Sequence, residues 1–293
     1  SIVVDSAWCM SWRRVCTKLA QHTRAPHAPQ AAHEAGAQAR RSTRVRRHQK
    51  EERRRRSCSG WKSNETWKFP QRTGQAEGIR AGAHRAQKMS DSNSGMEVEI
   101  KLRLPDKESH DVVAKLLQKG ARNLYRQENF FFDGSRQELG KHLHVLRTRF
   151  YNETEKCTLT LKGKAIIEDG IGRATELEHA IEPALGRKIV EDPNKMLQVQ
   201  GRVVQLVREK FNPEELVCLG GFRNVRQEFA WEGHIIELDE TQYDWGTVYE
   251  LECEIVEPET VKERLEELLG KNGISYAYSS VSKFANFVNK TLL

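Results

Sequence analysis

The stretch Met96–Leu104 alternates without exception between apolar and charged residues, with Glu97, Glu99, Lys101 and Arg103 as the charged set. A period of two belongs to a β-strand, whose successive side chains point to opposite faces. One face of this strand is therefore all charge and the other all hydrocarbon. The same texture recurs along the chain. It predicts strands at Tyr125–Phe132, at His142–Phe150 with Arg147 and Arg149 on one face, and at Lys156–Lys164 with Lys162 and Lys164 on one face. Further strands are predicted at Arg173–Ile181 with Glu176 and Glu178, at Phe222–Trp231, at His234–Glu240 with Glu237 and Asp239, and at Thr247–Val256 with Glu250, Glu252 and Glu254. Glu232-Gly233 reads as the turn of a hairpin. With the first strand this makes eight, with few long crossovers, which predicts an antiparallel sheet of a size that closes into a barrel.

Helical spacing appears between and after the strands. Pro105-Asp106 opens a helix with Val112, Val113, Leu116 and Leu117 on one side, running to Gly120. Others are predicted at about Pro193–Lys210, at Glu259–Leu269 and near Val281–Asn289. The fold class is α+β: an eight-stranded antiparallel closed barrel, or tunnel, with a charged interior and flanking helices.

The charged faces are sorted by sign. A strand facing solvent mixes charges and hydroxyls, whereas here carboxylates pair with carboxylates and basic groups with basic groups. Like charges two apart on one face repel by roughly a few tenths of a kcal/mol, a cost that a counter-ion between them removes. If these faces point inward, the carboxylates make the oxygen-rich surroundings favoured by Mg²⁺ or Mn²⁺. The arginines and lysines then line another wall suited to phosphate oxygens. A ligand of dense negative charge bridged by metal, such as a polyphosphate chain, fits both walls. The apolar faces would pack outward on helices such as 106–119 and 259–269. Phe130, Phe131 and Phe132 read as strand core, and His142, His144, His179 and His234 as structural.

The formal net charge of +7 conceals two unlike parts. Residues 1–88 hold 20 Lys and Arg against 6 Asp and Glu, whereas residues 89–293 hold 28 against 35. The basic arm contains Arg53-Arg54-Arg55-Arg56 and no sustained hydrophobic period, so its composition predicts disorder. Three readings of it stand: a transit segment, a nucleic-acid-binding arm, or a segment outside the functional protein, which then starts at Met89 or Met96. A start at either methionine predicts a cytoplasmic protein; a genuine transit arm predicts a plastid or mitochondrion. Domain 89–293 carries the barrel, for which a nucleic-acid partner is not expected. Cys9, Cys16, Cys58, Cys157, Cys218 and Cys253 show no CxxC spacing, which predicts reduced thiols and no zinc site. No apolar run reaches the ~20 residues that span a bilayer, so no membrane association is expected. The sequence sets no oligomeric state, and a monomer is the default.

Glu97-Val98-Glu99-Ile100-Lys101 resembles the E-x-E-x-K signature of the CYTH superfamily, the triphosphate tunnel metalloenzymes. The accompanying segments follow in the family's order: Leu146-Arg147-Thr148-Arg149, Leu161-Lys162, Glu176-Leu177-Glu178, Asn224-Val225-Arg226, Glu237-Leu238-Asp239, Tyr249-Glu250-Leu251-Glu252 and Ser282-Lys283-Phe284. Cys218-Leu219-Gly220-Gly221-Phe222 and Leu238–Asp244 look most similar to the plant tripolyphosphatase members. The resemblance spans about Met96–Asn286, while the basic arm departs from it. It implies a divalent metal, Mg²⁺ with Mn²⁺ as the substitute, and hydrolysis of tripolyphosphate to pyrophosphate and phosphate. By the same resemblance Lys101, Arg147, Arg149, Lys162, Arg226 and Lys283 hold phosphates. Glu97, Glu99, Glu250, Glu252 and Asp239 hold metal, and Glu97, Glu99 and Lys101 form the catalytic group. Glu237 assists, and Glu176 and Glu178 position lysines or water. The same site leaves open cyclisation of ATP, hydrolysis of thiamine or nucleoside triphosphates, and non-catalytic binding of polyphosphate or RNA ends.

Overall fold

The computed structural model describes residues 93–293, so the arm 1–88, Met89, and Cys9, Cys16 and Cys58 lie outside the described residues. Eight strands form one antiparallel ring. They are β1 (Asn93–Leu104), β2 (Ala121–Gly134), β3 (Val145–Tyr151), β4 (Lys156–Lys162), β6 (Ile171–Ile181), β7 (Leu216–Trp231), β8 (His234–Tyr243) and β9 (Gly246–Glu254). The ring order is β1-β9-β8-β7-β2-β3-β4-β6, and it closes because β1 pairs with β9 through residues 99–104 and with β6 through residues 93–100. Two short strands ride on it: β5 (Ile166–Glu168) on β6, and β10 (Ala277–Tyr278) on β1. The eight-stranded closed barrel is the one its alternating sequence predicts.

Its faces are inverted relative to a barrel with an apolar centre. Ile100, Leu102 and Leu104 of β1 point outward, joined by Leu238 of β8 and Leu251 of β9. They meet Val113 and Leu117 from α1 (Lys107–Leu116) and its C-cap, and Val261, Leu265 and Leu269 from α4 (Pro258–Lys271). A second outer core lies on the other side. There Phe130, Phe132, Leu146, Phe150, Leu159 and Leu177 pack beneath Ile189 of α2 (Pro183–Glu191), Met196, and Val203 and Val204 of α3 (Arg202–Leu206). Each fully buried Leu or Phe in these cores contributes roughly 1.5–3 kcal/mol by leaving water. The lumen is left mainly to polar groups, with Phe131 and Phe222 at one end. α1 starts where the sequence predicts, with Asp106 as N-cap accepting from Ser109 N at 2.8 Å.

Several details differ from the sequence reading. β3 begins at Val145 rather than His142, because Gly140–His142 is a 3₁₀ turn and Leu143 is left-handed at φ 58°. β4 ends at Lys162, so Lys164 is exposed beyond the strand and leaves the charged face. The single helix predicted over Pro193–Lys210 is broken. A 3₁₀ segment covers Pro193–Gln198, Gly201 turns the chain at φ 135°, and α3 then widens into a π turn at Val207–Phe211. α1 stops at Leu116, and a 3₁₀ turn at Gln118–Gly120 completes the run to Gly120. α2, β5 and β10 were not predicted. The hairpin turn is confirmed, with Glu232 and Gly233 both at positive φ, 51° and 86°.

Candidate active site

The charged positions converge on the lumen, and the letters of each motif divide between lumen and outer core. In the first strand Glu97, Glu99 and Lys101 face in, while Ile100 is buried outside. At the last motif Ser282 caps α5 (Lys283–Asn289), its Oγ accepting from Ala285 N at 3.1 Å. Lys283 extends into the lumen, and Phe284 meets Phe131 with centroids 4.7 Å apart.

On the wall made by β1, β6, β4 and β3, Lys162 pairs with Glu97, with Glu176 at 3.2 Å and with Glu99 at 3.6 Å. Arg147 reaches Glu176 at 3.7 Å and Glu178 at 3.8 Å. Its Nη2 also donates to Thr160 Oγ1 at 3.2 Å, and that hydroxyl donates to Glu178 at 2.8 Å. Arg149 donates from Nε to Asn129 Oδ1 at 2.8 Å. The opposite wall, from β9, β8, β7 and α5, is more tightly paired. Arg226 grips Asp239 through Nε at 2.9 Å and Nη2 at 2.7 Å, and also meets Glu252 at 2.8 Å and Glu237. Lys283 Nζ lies 2.9 Å from Asp239, 3.0 Å from Glu250 and 2.5 Å from Glu252, and donates to Glu252. Lys101 joins the two walls through Glu252 and, at 3.0 Å, Glu99.

The electrostatic consequences differ between groups. Burial pushes the Glu97 carboxyl up to about 7, with Glu99 and Glu176 adding to the shift against Lys162. Burial likewise raises Glu237 to about 7, although Arg226 opposes it. At Glu176 burial is outweighed by Arg147 and Lys162, which bring it down to about 2. Glu252 is held well below the carboxylate range because Lys101, Lys283 and Arg226 overcome its burial, and Asp239 and Glu250 are lowered in the same way. Lys283 and Arg226 are correspondingly raised against burial.

Several lumen groups carry no signal of charge alternation. Thr241 Oγ1 donates to Asn224 Oδ1 at 2.8 Å, and Asn224 Nδ2 donates to Gln127 Oε1 at 3.1 Å. Ser279 Oγ donates to Glu250 at 2.7 Å, and Arg103 meets the same carboxylate at 3.3 Å. Arg103 was visible as the last inward position of β1. The neutral groups had only their place on inward registers to mark them. Of the three phenylalanines read as strand core, Phe130 and Phe132 are outside, whereas Phe131 faces α5 and stacks with Phe287 at 5.6 Å. Phe222 and Tyr243 complete this aromatic end, and Tyr243 Oη donates to the Lys283 carbonyl at 3.0 Å. Gly220, at φ 97°, marks the register shift opposite Phe131 and lies under Phe287, where a Cβ would come within 3.3 Å of the ring.

A model of the CYTH domain matches residues 95–288. The chain belongs to the CYTH family. This CYTH protein is 42% identical to a solved Hippeastrum protein described as a putative adenylyl cyclase, HpAC1, with a dominant triphosphatase activity. The match covers 67% of this chain and 97% of that one with a TM-score of 0.65. A putative adenylate cyclase from Bacillus halodurans is 25% identical over 66% of this chain and 98% of its own, with a TM-score of 0.53. No protein of curated function matches. The resemblance to the plant triphosphatase-type members therefore holds, and all the site positions read from the CYTH motifs share the one lumen.

Among the described residues no group of three or more His, Cys, Asp or Glu is gathered around a metal position. The carboxylates are interleaved with Lys101, Lys162, Arg226 and Lys283. In chemistry Glu97 and Glu99 fit a hard divalent cation: they are oxygen donors, and the mutual repulsion that raises Glu97 is what such a cation relieves. Cys157, Cys218 and Cys253 are buried thiols that form no disulfide.

Proposed function

We propose that this CYTH protein hydrolyses the terminal phosphoanhydride of linear tripolyphosphate to pyrophosphate and phosphate, with Mg²⁺, or Mn²⁺ in its place, as cofactor. The observation that carries the reading is the charge inventory of the lumen. Arg103, Arg147, Arg149, Lys101, Lys162, Arg226 and Lys283 face Glu97, Glu99, Glu176, Glu178, Glu237, Asp239, Glu250 and Glu252. Basic groups in this number suit a polyanion. The near balance of signs means that the polyanion must bring cations with it, as a metal–polyphosphate complex does. The triphosphatase activity named for the Hippeastrum relative supports the same class of reaction.

In this reading Arg147, Arg149 and Lys162 hold the phosphate chain from one wall, and Arg226, Lys101 and Lys283 from the other. Guanidinium groups bind two oxygens each, and ammonium groups neutralise the leaving oxygen. Glu97 and Glu99, with Glu250, Glu252 and Asp239 across the lumen, would hold the divalent cation, which supplies Lewis-acid neutralisation of the phosphate oxygens. Lys162 then moves from Glu97 to phosphate. Glu97 orients the attacking water and accepts its proton. The aromatic end under α5 supports a short linear substrate over one with a bulky head at that end.

A second reading, cyclisation of ATP, rests on the cyclase descriptions of both relatives. One experiment separates them: phosphate, pyrophosphate and cyclic AMP released by the full chain from tripolyphosphate, ATP and thiamine triphosphate, with Mg²⁺ or with chelator. Mg²⁺-dependent phosphate release, fastest from tripolyphosphate, is the expected outcome. Cyclic AMP as the main product establishes the cyclase, and binding without any turnover makes the lumen a polyphosphate-binding module.

A further inference from the structure

Six of the seven lumen cations are neutralised within the protein, each with a carboxylate inside 4 Å. Arg149 is the exception among the described residues. Its hydrogen-bonding partners are neutral, the amide of Asn129 at 2.8 Å from Nε and the side chain of Tyr151, and Glu178 acts on it only from beyond 4 Å.

Asn129 is completely buried and directly opposite Arg149 across β2 and β3. Its own orientation is fixed from the other side, where Nδ2 donates to the Phe222 carbonyl at 3.4 Å. An amide whose Nδ2 is committed to a main-chain carbonyl must turn Oδ1 toward Arg149, so the side chain holds the guanidinium by one nitrogen without cancelling its charge. A carboxylate of the same shape would make the same bond and neutralise it. With Nε occupied, the remaining guanidinium nitrogens are the ones suited to two adjacent anionic oxygens.

We propose that Asn129 is a positioning residue that presents Arg149 as the uncompensated cation on which the polyphosphate chain first docks. The inference rests on the polyphosphate reading of the lumen and deepens it: docking begins at β3, and the paired cations exchange their carboxylates for phosphate afterwards. Arg149 thereby governs affinity more than the chemical step.

The test is isothermal titration of the full chain with tripolyphosphate, in chelator and in Mg²⁺, beside steady-state kinetics and thermal unfolding. Asn129→Asp, which keeps the shape and the bond to Arg149 but loses the donor to the Phe222 carbonyl, is expected to raise Kd and KM together by about tenfold while kcat changes less than about twofold and the protein stays folded at the assay temperature, because the new carboxylate neutralises Arg149. Asn129→Ala is expected to raise KM less, since Arg149 keeps its charge and loses only its tether. Binding by the Asp variant equal to wild type, or a loss confined to kcat, or a loss that merely follows a lower Tm, overturns the proposal. Wild-type protein that binds no tripolyphosphate overturns the parent reading, and this one with it; wild-type binding with an unchanged Asp variant overturns this one alone.

Discussion

The two walls of the lumen contain similar side chains in opposite states. On the β9–β8–β7 side, Asp239, Glu250 and Glu252 each meet two or more cationic groups, and their carboxyls are lowered despite complete burial. On the β1–β6 side, Glu97 and Glu99 share Lys162 with Glu176, and Glu97 rises to about 7. The first wall is a closed ionic lattice that also fastens α5 through Lys283. The second has negative charge left over, and its neighbour β3 has, at Arg149, positive charge left over. Similar motifs on two sides of one barrel thus yield a wall whose charges are closely paired and a wall whose charges are less so. Glu237 is the exception on the lattice side, raised to about 7 although it pairs with Arg226.

The sharpest way to break this contrast is to neutralise the less closely paired wall. Glu97→Gln is expected to lower kcat by ~10²–10⁴ while leaving the fold intact, as loss of a positioned proton acceptor does. Near-normal turnover would remove Glu97 from the chemistry and make the two walls equivalent. Next is the lattice. Lys283→Met leaves three buried carboxylates short of a partner and is expected to cost about 3–5 kcal/mol in urea unfolding. A cost below about 1 kcal/mol, typical of exposed pairs, would show that the lattice does not hold α5. The smallest effect is on pH. Glu97 and Glu237 bind protons more tightly folded, near 7, than unfolded, near 4.5. The folded state therefore gains stability as protons are added. In chelator Tm should rise by a few degrees from pH 8 to pH 6.5, and Glu97→Gln should flatten the rise. Lattice carboxylates, with lowered values, stay ionised throughout that window, so the stability they contribute is present across it and is lost only at more acidic pH. A Tm that falls from pH 8 to 6.5 would contradict the raised values.

The eight strands and their inward faces were legible because alternation is local: Glu97-Val98-Glu99-Ile100-Lys101 states its two faces without reference to the rest of the chain. The walls were not legible, because they depend on which strands meet. Nothing near Glu252 in sequence says that Lys101, 151 residues away, will bind it. Lys283 was reached only through its motif, since a lysine at the start of a helix has no signature that distinguishes lumen from solvent. Asn129, Asn224 and Ser279 were missed because neutral groups do not mark a face by charge. The break at Gly201 and the short α2 escaped for a different reason: helical periodicity over so few residues is outvoted by tertiary packing.

With its hydrocarbon outside the ring and its chemistry inside, the barrel assigns stability and specificity to different residues of the same strands. Leu238 and Leu251 answer to the helices, while Asp239 and Glu252, one position along, answer to the charges of the lumen. A lineage can therefore exchange lumen side chains to try new phosphorylated substrates while the outer cores keep the ring closed, and can rework its helices without disturbing catalysis. The alternating strand makes those two kinds of evolutionary change nearly independent.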